Sequence, residues 1–284
     1  MKLKTLAATL ALAGLAFVTT GANAAATITN SDGALSPFGG FDWASGAVAW
    51  TNGFNGSTGN TFSLFYAGWA TDVLKPDGSS LLPLGSLLDK VTDGVFNGGP
   101  AQASYEYTIF ASIQEKVNVC LATSCSFSIL GGSYDIYYNV KGDGLGTAVQ
   151  TNNGVGAWTG FKDGTKIISG SFDASNASQI FATSGNDGSN STTLSGNVTY
   201  TNLAYVNPVL IGTNVTSTLQ LGKSKNADVS PVSIDGITPD VAGGQLVFQA
   251  DANQSFSTVP EPGALALVGL ALAGCGLISR RKRA

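Results

Sequence analysis

The stretch Tyr105–Val119, YEYTIFASIQEKVNV, alternates between two faces over its whole length. One face carries Tyr105, Tyr107, Ile109, Ala111, Ile113, Val117 and Val119. The other carries Glu106, Thr108, Ser112, Gln114, Lys116 and Asn118, with Phe110 as the exception. A period of two sustained that far describes a half-buried strand or a bent pair of strands. The chain then supplies a partner. Phe127 and Ile129 lead to Gly131-Gly132, after which Tyr134, Ile136, Tyr138 and Val140 continue on the opposite parity. A glycine pair at a parity switch predicts a β-bulge.

Outward from this hairpin the same grammar recurs. Asp-Gly begins at residues 32, 77, 93, 143, 163, 187 and 235, and Asn-Gly at 52, 55, 97 and 153. Such pairs accept positive φ and favour tight hairpin turns. Their spacing has no fixed period, which speaks against a solenoid or propeller. Further strands are expected at Thr61–Ala67, Thr165–Phe172, Asn197–Tyr205, Ser217–Leu221 and Gln245–Ala252, and a short helix at Leu81–Val91. Many short antiparallel strands without alternating helices imply an all-β body, a β-sandwich or jelly roll. Nothing in the composition forces a second domain, and Asn207–Ile211 is only a weak candidate for a break.

Charge narrows the function classes. Residues 25–259 hold eight lysines, no arginine and seventeen acids, a net charge of −9. That balance offers no electrostatic footprint for nucleic acid or an anionic membrane surface. The chain has no histidine, which removes His-based triads, His-ligated zinc and a histidine pH switch.

The two ends read as addresses. Residues 1–24 join a basic start (MKLKT), the apolar run Leu6–Val18 and the A-x-A site Ala22-Asn23-Ala24, predicting a signal helix cleaved between Ala24 and Ala25. At the other end, Val259-Pro260-Glu261-Pro262 precedes the apolar run Ala264–Ile278 and the basic tail Arg280, Arg281, Lys282 and Arg283. Fifteen apolar residues make roughly 22 Å of helix, short of the ~30 Å hydrocarbon core. The terminal cations favour a single span with its basic end in the cytoplasm over a buried core helix. The expected layout is thus a signal peptide (1–24), an extracellular β domain (25–258) and a C-terminal sorting segment (259–284).

In an exported body whose only cysteines are Cys120 and Cys125, a C-x4-C pair on a hairpin turn predicts a structural disulfide.

VPEP, a short Gly/Ala/Leu-rich span and an arginine-rich terminus, in that order, resemble the PEP-CTERM sorting signal of exported bacterial proteins. The resemblance implies recognition and cleavage of the tail by the membrane enzyme exosortase, with Pro260, Glu261 and Pro262 as recognition residues. Residues 36–54, SPFGGFDWASGAVAWTNGF, resemble the mature start of flocculation-associated PEP-CTERM proteins. That narrower resemblance implies a non-enzymatic protein of the cell surface or extracellular matrix. Its expected partner is exopolysaccharide, and its contact with the inner membrane is transient, through the C-terminal helix.

Little catalytic chemistry is legible. The body's two glutamates, Glu106 and Glu115, lie nine positions apart on one strand with opposite parity. They would stand roughly 30 Å apart, too far for a glycosidase pair. Glu115 falls on the apolar face, which is simplest if it marks the strand's exposed end. No nucleophile elbow is present. No catalytic residue and no cofactor are expected. Calcium is a minor alternative at Lys141–Gly144 or Gly185–Asn190, where turn composition explains the oxygen ligands without a metal. Phe41, Trp43 and Trp50 admit two readings, a sandwich core or an exposed surface on which sugar rings stack. The functional expectation is retention or cross-linking of exopolysaccharide in floc formation. The rival readings are a secreted carbohydrate-active enzyme and an adhesin for a protein partner.

Overall fold

The computed structural model describes residues 26–84, 105–121, 124–140, 157–184, 187–224, 233–234, 237 and 246–257. The signal segment and the sorting segment, including their expected helices, lie outside the described residues. Among those described, every regular element is a strand. In order they are β1 (Ala26–Asn30), β2 (Gly33–Phe38), β3 (Gly40–Asn52), β4 (Thr61–Leu74), β5 (Ser80–Pro83), β6 (Tyr105–Leu121), β7 (Ser124–Val140) and β8 (Ala157–Trp158). There follow β9 (Thr165–Phe172), β10 (Ser175–Ser184), β11 (Asp187–Thr201), β12 (Val206–Asn207), β13 (Asn214–Ser224), β14 (Ser233–Ile234) and β15 (Val247–Ser257).

The expected all-β antiparallel body is present, and its sheet closes on itself. β3 pairs with β4, β4 with β6, and β6 with β7. β7 pairs with β9 and also with β10, and both of these pair with β11. β13 and β15 follow, and β15 returns to β3 through Val247↔Trp50 and Ser255↔Gly40. With β9 and β10 sharing one position, the ring has eight positions, each pairing with its sequence neighbours. This is an up-and-down barrel, built from simple hairpin steps rather than the Greek-key crossings of a jelly roll.

Local chemistry sets the register. The β6–β7 ladder passes from Gln114↔Gly131 to Glu115↔Ile129, leaving Leu130 as the extra residue of the expected bulge. Gly131 adopts φ +136° there, a conformation that a side chain strains. At the hairpin tip Cys120 and Cys125 face each other across the ladder and form the expected disulfide. The Asp77-Gly78 turn carries the chain into β5, with Gly78 at φ +80° and Asp77 accepting from the Ser79 amide at 2.9 Å. β5 corrects one expectation. Leu82 pairs with Val73, so Leu81–Pro83 form a strand and not the start of a helix. An available edge on β4 outweighs the local helical pattern. Residues 85–91 lie outside the described residues.

Aromatic side chains fill the interior. Near one end Phe38, Phe41, Tyr105, Tyr107 and Tyr138 pack with centroid separations of 5.2–5.8 Å. The small sheet β12-β1-β2 packs against this end. It is tied there by Asn30 Nδ2 donating to the Tyr105 hydroxyl at 2.9 Å and by the Ser31 amide donating to Tyr138 at 2.8 Å. Near the other end Phe54, Phe62 and Phe127 meet edge to face. Two interior cavities each leave about 20 Å³ open to a water-sized sphere, room for a single water. Both are far below the several hundred Å³ of a small-molecule site.

Candidate functional site

The aromatic candidates for sugar contact prove to be core. Phe41, Trp43 and Trp50 are 0%, 1% and 0% exposed. Phe41 and Trp43 lie 4.9 Å apart, and Phe41 also meets Tyr107. Trp50 stacks on Phe65 at 5.2 Å and 27°, with Phe110 at 6.0 Å edge-on. Residues 161–162 lie against this last cluster. Thr108 Oγ1 donates to the Phe161 carbonyl at 2.8 Å, and Lys162 Nζ stands 4.5 Å from the Phe110 ring. Burying these rings removes large apolar areas from water: Phe41 and Trp43 pack with other buried rings, whereas Trp50, registered opposite Phe65, lies with Phe65 and Phe110 on the outer face, where residues 161–162 pack against the cluster. The Trp158 side chain lies outside the described residues.

The two glutamates do not form a pair, and neither ends a strand in solvent. Glu106 is 1% exposed, registered opposite Asn139, whose Nδ2 donates to Oε1 at 3.5 Å. Glu115 is 3% exposed and lines the cavity formed by Thr51, Phe54, Phe62, Leu64, Phe127, Asn190, Leu221, Leu246 and Phe248. Burial alone pushes its carboxyl up to about 8. The expected exposed end is therefore corrected. β6 runs on past Glu115, and the apolar parity of its inner face holds through Val117. A lone raised carboxyl in a water-sized space has no room for a substrate.

Sequence reasoning missed a group of carboxylates. Asp42 pairs with Asp72 across β3–β4, and Asp251 follows at the β15 bulge beside them. Burial first, then the charges of Asp251 and Asp72, raise Asp42 from its ordinary value, with the Thr71 hydroxyl opposing them. Burial likewise raises Asp251. No three His, Cys, Asp or Glu residues converge to hold a metal ion among the described residues. Lys141–Gly144 and Gly185-Asn186 lie outside those residues.

What the fold does display is a polar grid on the outer face of β11, β13 and β15. Ser195, Thr216 and Ser255 stand in register across the three strands. So do Thr193, Thr218 and Asn253, and likewise Ser191, Gln220 and Asp251. Asn197, Asn214 and Ser257 make a fourth row. Most of these residues are exposed, with Asn197, Thr218 and Asp251 half-buried. The alternating positions Leu194, Val198, Val215, Leu219, Ala250, Ala252 and Phe256 face the core. Strands ~4.8 Å apart and alternate residues ~6.8 Å apart give a regular array. Each hydroxyl or amide in it both donates and accepts, and short side chains lose little rotamer freedom when they bind. Asp251 is the array's one charge. The signal was present in the strand sequences as Ser/Thr/Asn alternating with apolar residues, but only long-range register aligns three such strands.

The sorting residues Val259, Pro260, Glu261, Pro262, Arg280, Arg281, Lys282 and Arg283, and the signal site Ala24-Ala25, lie outside the described residues. The family model of the PEP-CTERM protein-sorting motif matches residues 258–283. No curated protein and no solved structure matches the chain. The chain thus carries a PEP-CTERM signal, the mark of an exported protein processed by exosortase and placed at the cell surface or outside the cell.

Proposed function

We propose that the exported body acts without catalysis as a matrix protein, retaining or cross-linking exopolysaccharide and so promoting floc formation. The observation that carries this reading is the hydroxyl and amide grid on β11, β13 and β15. A polyhydroxylated chain presents donors and acceptors along its length and little apolar surface. A regular array of neutral hydroxyls and amides, each able to donate and accept, with Asp251 as its one carboxylate, matches that chemistry. Among the described residues, the two interior cavities of about 20 Å³ are each too small for a sugar ring, which favours a site on the surface. Water-bridged contacts on such a face are individually weak, so retention rests on many repeats of one polymer engaging many copies.

The test compares the full protein with a fourfold variant, Thr193→Ala, Thr216→Ala, Thr218→Ala and Asn253→Ala, in cosedimentation with polysaccharide from the producing cells. Loss of at least tenfold in apparent affinity, with an unchanged melting temperature, is expected. Equal binding by both proteins would remove the grid from the function. In cells, deletion of the gene is expected to disperse flocs and to move polymer from the cell fraction into the medium.

A further inference from the structure

We infer that the loop 202–213 is a docking surface for the lipid bilayer, engaged while the sorting segment is still attached. This rests on the export reading and on the sequence reading of Ala264–Ile278 as a span, and it is independent of polysaccharide binding.

The loop leaves β11 at Thr201 and enters β13 at Asn214. Leu203, Val209 and Ile211 are 59%, 47% and 57% exposed, with Tyr200 beside them at 42%. Several apolar side chains exposed along one loop at one end of the barrel mark a candidate contact surface. The loop is held in place, with Asn202 N donating to the Ile167 carbonyl at 2.8 Å and Thr213 N to Leu210 at 2.8 Å. The exposed side chains are therefore presented on an ordered backbone.

Two observations on the chain select lipid as the occupant. First, Asn214 is registered directly opposite Ser257, the last residue of β15. Ile211 is three residues from Asn214. Seven further Cα steps carry the chain from Ser257 to Ala264, where the apolar run begins, a reach of at most about 25 Å. Because that run falls roughly 8 Å short of a hydrocarbon core, its flanks are drawn toward the interface. The covalent connection therefore keeps the exit end of the barrel within reach of the headgroups. Second, residues 188–222 contain no Asp, Glu, Lys or Arg, in a body whose net charge is −9. The stretch from β11 to β13 that carries the exposed apolar side chains is thus itself uncharged, although Lys166 on the neighbouring β9 accepts from Asn202 Nδ2 through its carbonyl at 3.5 Å and the Lys75–Ser79 turn lies at the same end. It also carries Tyr200 and Tyr205, and tyrosine is enriched at membrane interfaces. Three apolar side chains bind a free bilayer weakly, but a tether of this length raises the effective concentration enough for them to matter. The consequence is a preferred orientation of the body while exosortase acts on the tail.

The exposed apolar residues at the opposite end, Val119, Leu121 and Leu130, provide the internal control. The full chain is reconstituted in phosphatidylcholine vesicles with brominated acyl chains, and Trp fluorescence quenching is read for Ile211→Trp and Leu121→Trp against the parent protein. Quenching of the added tryptophan at 211 at least threefold greater than at 121 is expected. Equal quenching at the two ends overturns the proposal. So does a change at 211 that follows protein concentration without lipid, which would instead indicate contact between copies. In cells, Leu203→Ser, Val209→Ser and Ile211→Ser together are expected to slow tail processing severalfold, and the same three changes at Val119, Leu121 and Leu130 are not. Identical processing in both sets also overturns it. Loss of lipid contact with intact polysaccharide binding separates this proposal from the preceding one.

Discussion

Glu115 stands directly opposite Phe62 on the β4–β6 ladder, a carboxyl paired with an aromatic ring at the wall of an apolar cavity. The placement costs stability wherever the carboxyl ionises. Burial raises the folded-state value from 4.5 to about 8. Between those values the folded state holds a proton that the unfolded state has released. The contribution of Glu115 to stability is therefore greatest below pH 4.5, falls as pH rises to about 8, and levels off above it.

Glu115→Gln keeps the shape and removes this titration. At pH 4 the variant and parent are expected to be nearly equal in stability. At pH 8 the variant is expected to be more stable by several kcal/mol, since each pKa unit corresponds to ~1.4 kcal/mol. Urea midpoints at the two pH values check this. Asp42 and Asp251, also raised, persist in both proteins, so the difference between them isolates Glu115. A parallel decline in parent and variant would show that the carboxyl is solvated.

Trp43 and Trp50 are expected to behave as core residues, not as binding residues. Trp43→Ala and Trp50→Ala each remove a ring that is 1% exposed or less, a truncation that costs about 3–5 kcal/mol. Both variants should melt at markedly lower temperature. At a temperature where they remain folded, their affinity for polysaccharide should match the parent's. A variant of full stability with lost affinity would restore the sugar-stacking role to these rings.

The Cys120–Cys125 bond closes a short loop at the β6–β7 tip. Chain entropy for so small a loop corresponds to about 2 kcal/mol. Cys120→Ser with Cys125→Ser is expected to lower the melting temperature by about 4–8 °C for a body of this size. Its far-ultraviolet dichroism should remain that of the folded barrel, because the ladder below the tip does not depend on the bond. Complete unfolding of the double variant would mean that the crosslink organises the whole sheet.

The local features of the fold were legible because each has a local cause. The period of Tyr105–Val119, the bulge at Gly131-Gly132 and the cysteine pair are all set by residues within one hairpin. Closure was not legible. It depends on Val247 meeting Trp50, and nothing near either residue marks the other. The same gap explains why the aromatics stay open between two readings and why Glu115 is placed at an exposed end, since face parity tells which residues share a side but not what covers that side. It also explains the polar grid, whose rows join residues as distant as Ser195 and Ser255. The sorting motif was the opposite case, a functional signal carried entirely by the order of residues along the chain.

Ring closure by β15 has a kinetic consequence. The strand that seals the barrel is the last of the body to be made and exported, and its partner β3 is among the first. Until residue 257 has crossed, β3 and β13 each present an unpaired edge, the kind of surface on which neighbouring chains add strands to one another. Long-range pairing of this kind is slow, so the unfinished barrel stays open to such additions for as long as β15 is undocked. A cut upstream of Ser257 would make that transient state permanent. Docking of β15 closes the ring, so that a body cut beyond Ser257 no longer presents the β3 and β13 edges.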